Sequence, residues 1–131
     1  MVWVLDASAI LAVPLEAEGA EQVVSLLRGA AGQREARVLV PFTAMEEVEL
    51  YLRRHVPDEV DRVLALVEGW PVEIVESYPQ WRHEAVRLQA SLDLSLPVAW
   101  AAALALLHDA ELVYQGPTFE AIPGLVRTKI A

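Results

Sequence analysis

The sequence predicts an α/β fold in three layers, α/β/α, around a mainly parallel sheet of about five strands. Three observations predict it. Short unbroken apolar runs recur, as strands buried on both faces require. Segments with a 3.6-residue apolar period lie between them. The connections run to a dozen residues or more, which suits crossovers rather than hairpins. The hydrophobic fraction of 55% fits a sheet covered on both sides.

Val2 to Leu5 is the first strand, closed by Asp6. Ala7 to Val13 favours helix and stops at Pro14. Ala20 to Ala30 sets Val23, Val24, Leu26 and Leu27 at helical spacing, and Arg37 to Val40 is a second strand closed by Pro41. Thr43 to His55 reads as a helix with Thr43 as N-cap and Glu46 three residues on, the pattern of a capping box. Asp58 to Trp70 repeats the helical period behind Pro57, and Val72 to Val75 is a third strand. Pro79 to Leu92 and Pro97 to His108 are helices, the second with its proline in the first turn, where a missing N–H costs nothing. Glu111 to Tyr114 is a fourth strand and Val126 to Ile130 an edge strand. No repeat, low-complexity tract or linker interrupts residues 1–131, so one domain is expected.

Composition narrows the function classes. With no cysteine there is no disulfide framework, thiolate metal site or cysteine nucleophile, which fits a reducing compartment. No Lys or Arg precedes Arg28, so a signal peptide lacks its basic start. The longest apolar run, Leu96 to Leu107, is shorter than the ~20 residues that span a bilayer. A cytoplasmic protein without membrane association is expected. The net charge of −9 opposes non-specific binding of nucleic acid, which relies on Lys and Arg. Any contact with RNA must be local, bridged by a divalent cation or supplied by a partner. The few basic residues do cluster, as Arg53, Arg54 and His55 and as Arg82, His83 and Arg87.

In open α/β sheets ligands collect beyond the carboxyl ends of the strands. Asp6 ends the first strand and opens the first helix in Leu5-Asp6-Ala7-Ser8-Ala9, so its carboxylate can bind a metal or cap the helix. Ser8 sits beside it, either as a donor to a phosphate or metal-bound water or as an ordinary first-turn serine. On a helical wheel Ala44, Met45, Val48, Tyr51 and Leu52 form the apolar face of their helix. Glu46 points away from that face, while Glu47 and Glu49 flank it. His55, His83 and His108 are too far apart for a local zinc motif, and His108 near a helix end offsets the dipole. Asp93 and Glu111 read as surface carboxylates.

A first strand followed by Asp-Ala-Ser-Ala resembles the opening of PIN-domain proteins, including the VapC-type toxins. The likeness continues through PFTAMEEVE, Pro41 to Glu49, and through LSLPVAWAAALALLHDAELVYQGPTFEAIPGL from Leu94 onward. It implies a PIN-like fold and ribonuclease chemistry that depends on Mg²⁺ or Mn²⁺. Asp6 and Glu47 match the positions of two metal-binding acids, with Glu46 as the alternative to Glu47, and Ser8 matches an assisting serine. The resemblance also implies an RNA substrate, an antitoxin-like partner and a homodimer; the nearly all-apolar helix from Pro97 would be either wholly buried or shared with a second subunit.

The chain departs from the pattern where the remaining acids belong. Val98 stands for one aspartate, Gly116 for the aspartate after the fourth strand, and Thr118 for a further one. Tyr114 and Gln115 fill the altered segment, either stacking on a base or packing. Two carboxylates can hold one Mg²⁺ that keeps its waters, but only weakly. Two functions follow: a weakened metal-dependent ribonuclease, or a catalytically inactive PIN scaffold that binds RNA or protein. A phosphate-accepting signalling domain lacks its acidic pair on the first strand, and no glycine-rich phosphate loop follows any strand.

Overall fold

A computed structural model describes residues 1–130. Five strands form one sheet: β1 (Val2–Leu5), β2 (Arg37–Pro41), β3 (Glu73–Val75), β4 (Glu111–Tyr114) and β5 (Arg127–Lys129). Their order is β3-β2-β1-β4-β5 and every neighbouring pair is parallel. The helices are α1 (Ala7–Ala12), α2 (Ala20–Ala31), α3 (Phe42–His55), α4 (Val60–Glu68), α5 (Pro79–Leu92) and α6 (Leu96–Leu107), with a single 3₁₀ turn at Pro57–Glu59. Successive strands move outward from β1 on one side and restart at β4 on the other, so the topological switch lies between β1 and β4. That is where such sheets hold ligands.

Alternating strand residues feed two cores. Val4, Leu39 and Leu112 point to the side covered by α5 and α6, and Leu5, Val38, Val40 and Val113 to the side covered by α1 to α4. The three layers expected from the sequence are present. On the first side Phe42, Trp81 and Trp100 meet edge to face, with ring centroids 4.7–5.7 Å apart. Trp81 Nε1–H donates to the Trp100 carbonyl at 2.8 Å, so the buried indole is satisfied. Because Phe42 opens α3 and Trp100 belongs to α6, this cluster sets how those two helices approach each other beyond the sheet.

Helix α6 is buried within the single chain from Ala99 to Ala105, which accounts for its apolar composition without a second subunit. The start of α3 differs from expectation. The helix begins at Phe42 with Pro41 at the cap position, and no side chain caps it. Thr43 is not the N-cap and forms no capping box with Glu46. Strand β2 runs into α3 with no loop between them, so the strand end fixes where the helix starts. Thr43 is left inside the first turn, 3% exposed, with Oγ1 lacking a hydrogen-bond partner. No helix is long and apolar enough to cross a membrane among the described residues.

Candidate active site

A cavity of about 160 Å³ opens at the carboxyl ends of β1 and β4, lined among others by Asp6, Ser8, Glu47, Val98, Gln115 and Thr118. Four segments meet there: the end of β1, the first turns of α3 and α6, and the loop after β4. Asp6 closes β1 with extended backbone, and its N–H donates to the Val113 carbonyl at 3.2 Å, stitching it to β4.

Asp6 is both cap and cavity residue. Its Oδ1 accepts from the Ala9 N–H at 3.1 Å and from the Ser8 hydroxyl at 2.6 Å. Its Oδ2 has no hydrogen-bond partner among the described residues and is the oxygen available to a ligand. Ser8 Oγ in turn accepts from the Gln115 N–H at 2.9 Å. The serine therefore bridges Asp6 to the loop after β4, and its one hydroxyl hydrogen is committed to Asp6. A direct donation to a phosphate would have to break that bond.

Burial pushes the Asp6 carboxyl up to about 6, against the lowering effect of the Ser8 and Ala9 hydrogen bonds, and the Glu47 charge adds to the rise. Glu47, one turn into α3, is raised by its own partial desolvation. No Lys, Arg or His forms an ion pair with either acid among the described residues. Two neighbouring carboxylates, one with an unused oxygen and neither compensated by a protein cation, form a donor set suited to one hydrated divalent ion. A third acid is missing: no group of three or more His, Asp or Glu that could hold a metal ion occurs among the described residues.

Glu46 lies elsewhere, in an exposed depression with Glu49 and Glu76. Asp93 caps the end of α5 in a left-handed conformation, and Glu111 accepts from the Thr128 hydroxyl at the start of β4, the opposite end of the sheet. His108 lies at that far end too, with Nε2 3.4 Å from the Tyr78 hydroxyl. Tyr114 is 2% exposed and packs edge to face on Phe119 at 5.3 Å. It cannot stack on a base: as the last residue of β4 its ring turns into the core, and packing is its role. Val98 and Thr118 line the cavity, whereas Gly116, at φ +89°, turns the backbone beside it.

The fold accords with sequence comparison, in which a profile of the PIN domain matches residues 3–125. The chain belongs to the PIN domain family. No curated protein matches its sequence. Solved structures extend the likeness at the level of fold. A chain from the Rickettsia felis VapBC2 complex bound to a DNA fragment from its promoter superposes with a TM-score of 0.78 at 15% identity, covering 98% of each chain. A chain of DNA-bound VapBC from Salmonella typhimurium gives 0.75 at 18%, covering 100% of this chain and 99% of that one. A chain from a Klebsiella pneumoniae toxin–antitoxin complex gives 0.72 at 19%, covering 94% of each.

In this PIN domain one exposed residue was hidden from sequence reasoning. Tyr51, placed on the apolar face of α3 by the helical wheel, is 39% exposed. Its signal was positional: it lies one helical step beyond Glu47, at the margin of that face.

Proposed function

We propose that the protein is a cytoplasmic, metal-dependent endoribonuclease of the VapC toxin kind, working with only two of the usual acids and therefore slowly. The observation that carries this is the convergence of Asp6 and Glu47 in one cavity, with Oδ2 of Asp6 free of hydrogen bonds among the described residues. Asp6 and Glu47 would hold one Mg²⁺ or Mn²⁺, weakly. When bound, such an ion activates water and neutralises charge on a phosphodiester. Ser8 holds Asp6 in place and ties it to Gln115, so the aspartate is positioned before any ligand arrives. Val98 offers no donor, and Thr118 supplies a hydroxyl in place of a carboxylate. An antitoxin-like protein and a second copy of the chain are the partners proposed, in keeping with the toxin–antitoxin complexes that share the fold.

Val98 favours a second reading, a scaffold that binds RNA or protein without cutting, since no rotamer of valine ligates a metal. Cleavage of a mixed RNA pool by the pure protein in Mn²⁺, with Asp6→Asn as control, separates the two. Slow cleavage abolished by the substitution supports the ribonuclease. Cleavage equal in both proteins, or absent from both, excludes it and leaves the binding scaffold.

A further inference from the structure

A second pocket, of about 210 Å³, adjoins the acid cavity and shares Ser8 and Gln115 with it. It lies between α1 and α3, and Leu11, Leu15 and Tyr51 supply its apolar surface. Leu15 and Tyr51 are both exposed, at 40% and 39%. We propose that this pocket receives an unpaired nucleobase of single-stranded RNA, stacked on Tyr51, next to the phosphate held at the acid cavity. The inference rests on the ribonuclease reading and names the form its substrate takes.

Three features select a base over other occupants. The shared wall of Ser8 and Gln115 sets the pocket directly beside the acid cavity, as a base lies beside its own phosphate. Gln115 contributes a polar edge: its Nε2 donates to the Glu18 carbonyl at 3.3 Å, which leaves Oε1 to accept from a base N–H. The stripe Glu47, Tyr51, His55 then continues along α3 in steps of four residues, ~6 Å each. Tyr51 and His55 are in contact, with ring centroids 4.4 Å apart and planes tilted by 39°. Arg54, beside them, has no ion-pair partner among the described residues, whereas Arg53 is taken by Glu49. An aromatic platform leading to a free cation is how proteins follow a single strand. A duplex keeps its bases stacked inside and cannot fill the pocket, and its denser charge meets a protein of net charge −9.

The test uses the full wild-type chain in Ca²⁺, which can bridge a phosphate to the two acids, with the oligomer checked to be intact so that binding is read apart from the nuclease question. Affinity for a fluorescein-labelled adenylate oligomer, single-stranded or annealed to its complement, is measured by anisotropy. Tyr51→Ala should weaken the single strand about 5- to 150-fold, while Tyr51→Phe retains it and Leu66→Ala, at an exposed site on α4, has no effect. Arg54→Ala should reduce the slope of log affinity against log salt by about 0.7. Leu15→Glu, which places a charge at the rim, should weaken binding whether or not Tyr51→Ala folds. Equal affinity for the two strand forms, or unchanged binding in Tyr51→Ala or in Leu15→Glu, overturns the proposal and leaves the pocket to a protein partner. Wild-type cleavage in Mn²⁺ stands or falls independently of that result.

Discussion

Asp6→Asn removes a charge that burial penalises and keeps the oxygen that caps α1. An aspartate carboxyl raised from 3.8 to about 6 makes the folded state bind protons more tightly than the unfolded chain. Below pH 3.8 both states are protonated and there is no penalty. Between the two values the folded state holds the extra proton, so stability falls as pH rises, and the loss is complete above pH 6. At about 1.4 kcal/mol per tenfold change in dissociation constant the full loss is about 3 kcal/mol. Asparagine escapes it while still accepting from Ala9 and Ser8. The variant should therefore exceed the wild type by about 2–3 kcal/mol at pH 7.5, about half that at pH 5, and under about 1 kcal/mol at pH 4. Urea unfolding in EDTA reads this directly, since slopes of about 1–3 kcal/mol per molar turn the neutral-pH gap into a midpoint shift of roughly 1–2 M. Equal midpoints at pH 7.5, or a gap that persists at pH 4, would refute the assignment of the raised carboxyl to a buried, uncompensated Asp6.

Other consequences can be measured alongside. Glu47→Gln should bring the Asp6 carboxyl pKa down from about 6, because the Glu47 charge helps to raise it; carboxyl-carbon NMR titration shows the change. Val98→Asp with Thr118→Asp restores acids at two cavity-lining positions, and should tighten Mn²⁺ binding and speed RNA cleavage together, seen by calorimetry and by the cleavage assay. Gly116→Asp is the poorer restoration, since φ +89° disfavours a side chain there. Thr43→Val removes a buried, unpaired hydroxyl and should stabilise the fold by about 1–3 kcal/mol in urea unfolding.

Strand-by-strand order was legible because buried parallel strands and amphipathic helices carry different apolar periods, and Pro14, Pro41, Pro57, Pro79 and Pro97 punctuate them. The approach of Glu47 rather than Glu46 to Asp6 also follows from the period of α3, since only the former flanks the buried face. Three features were not legible, each for a physical reason. Where β2 passes into α3 without a loop, the strand end outweighs a local capping signal, and Thr43 is drawn inside. Whether Tyr114 turned inward or outward depended on the parity of β4, which an apolar run of four residues does not reveal. The pocket beside Tyr51 depends on how far α1 stands from α3, a tertiary distance with no local signature.

Whether two carboxylates suffice for one ion is tested most directly by Mn²⁺ titration followed by the electron paramagnetic resonance of the free ion. One weak site is expected in the wild-type protein, lost in both Asp6→Asn and Glu47→Gln. A wild-type protein that leaves millimolar Mn²⁺ free, or a site that survives both substitutions, would contradict it.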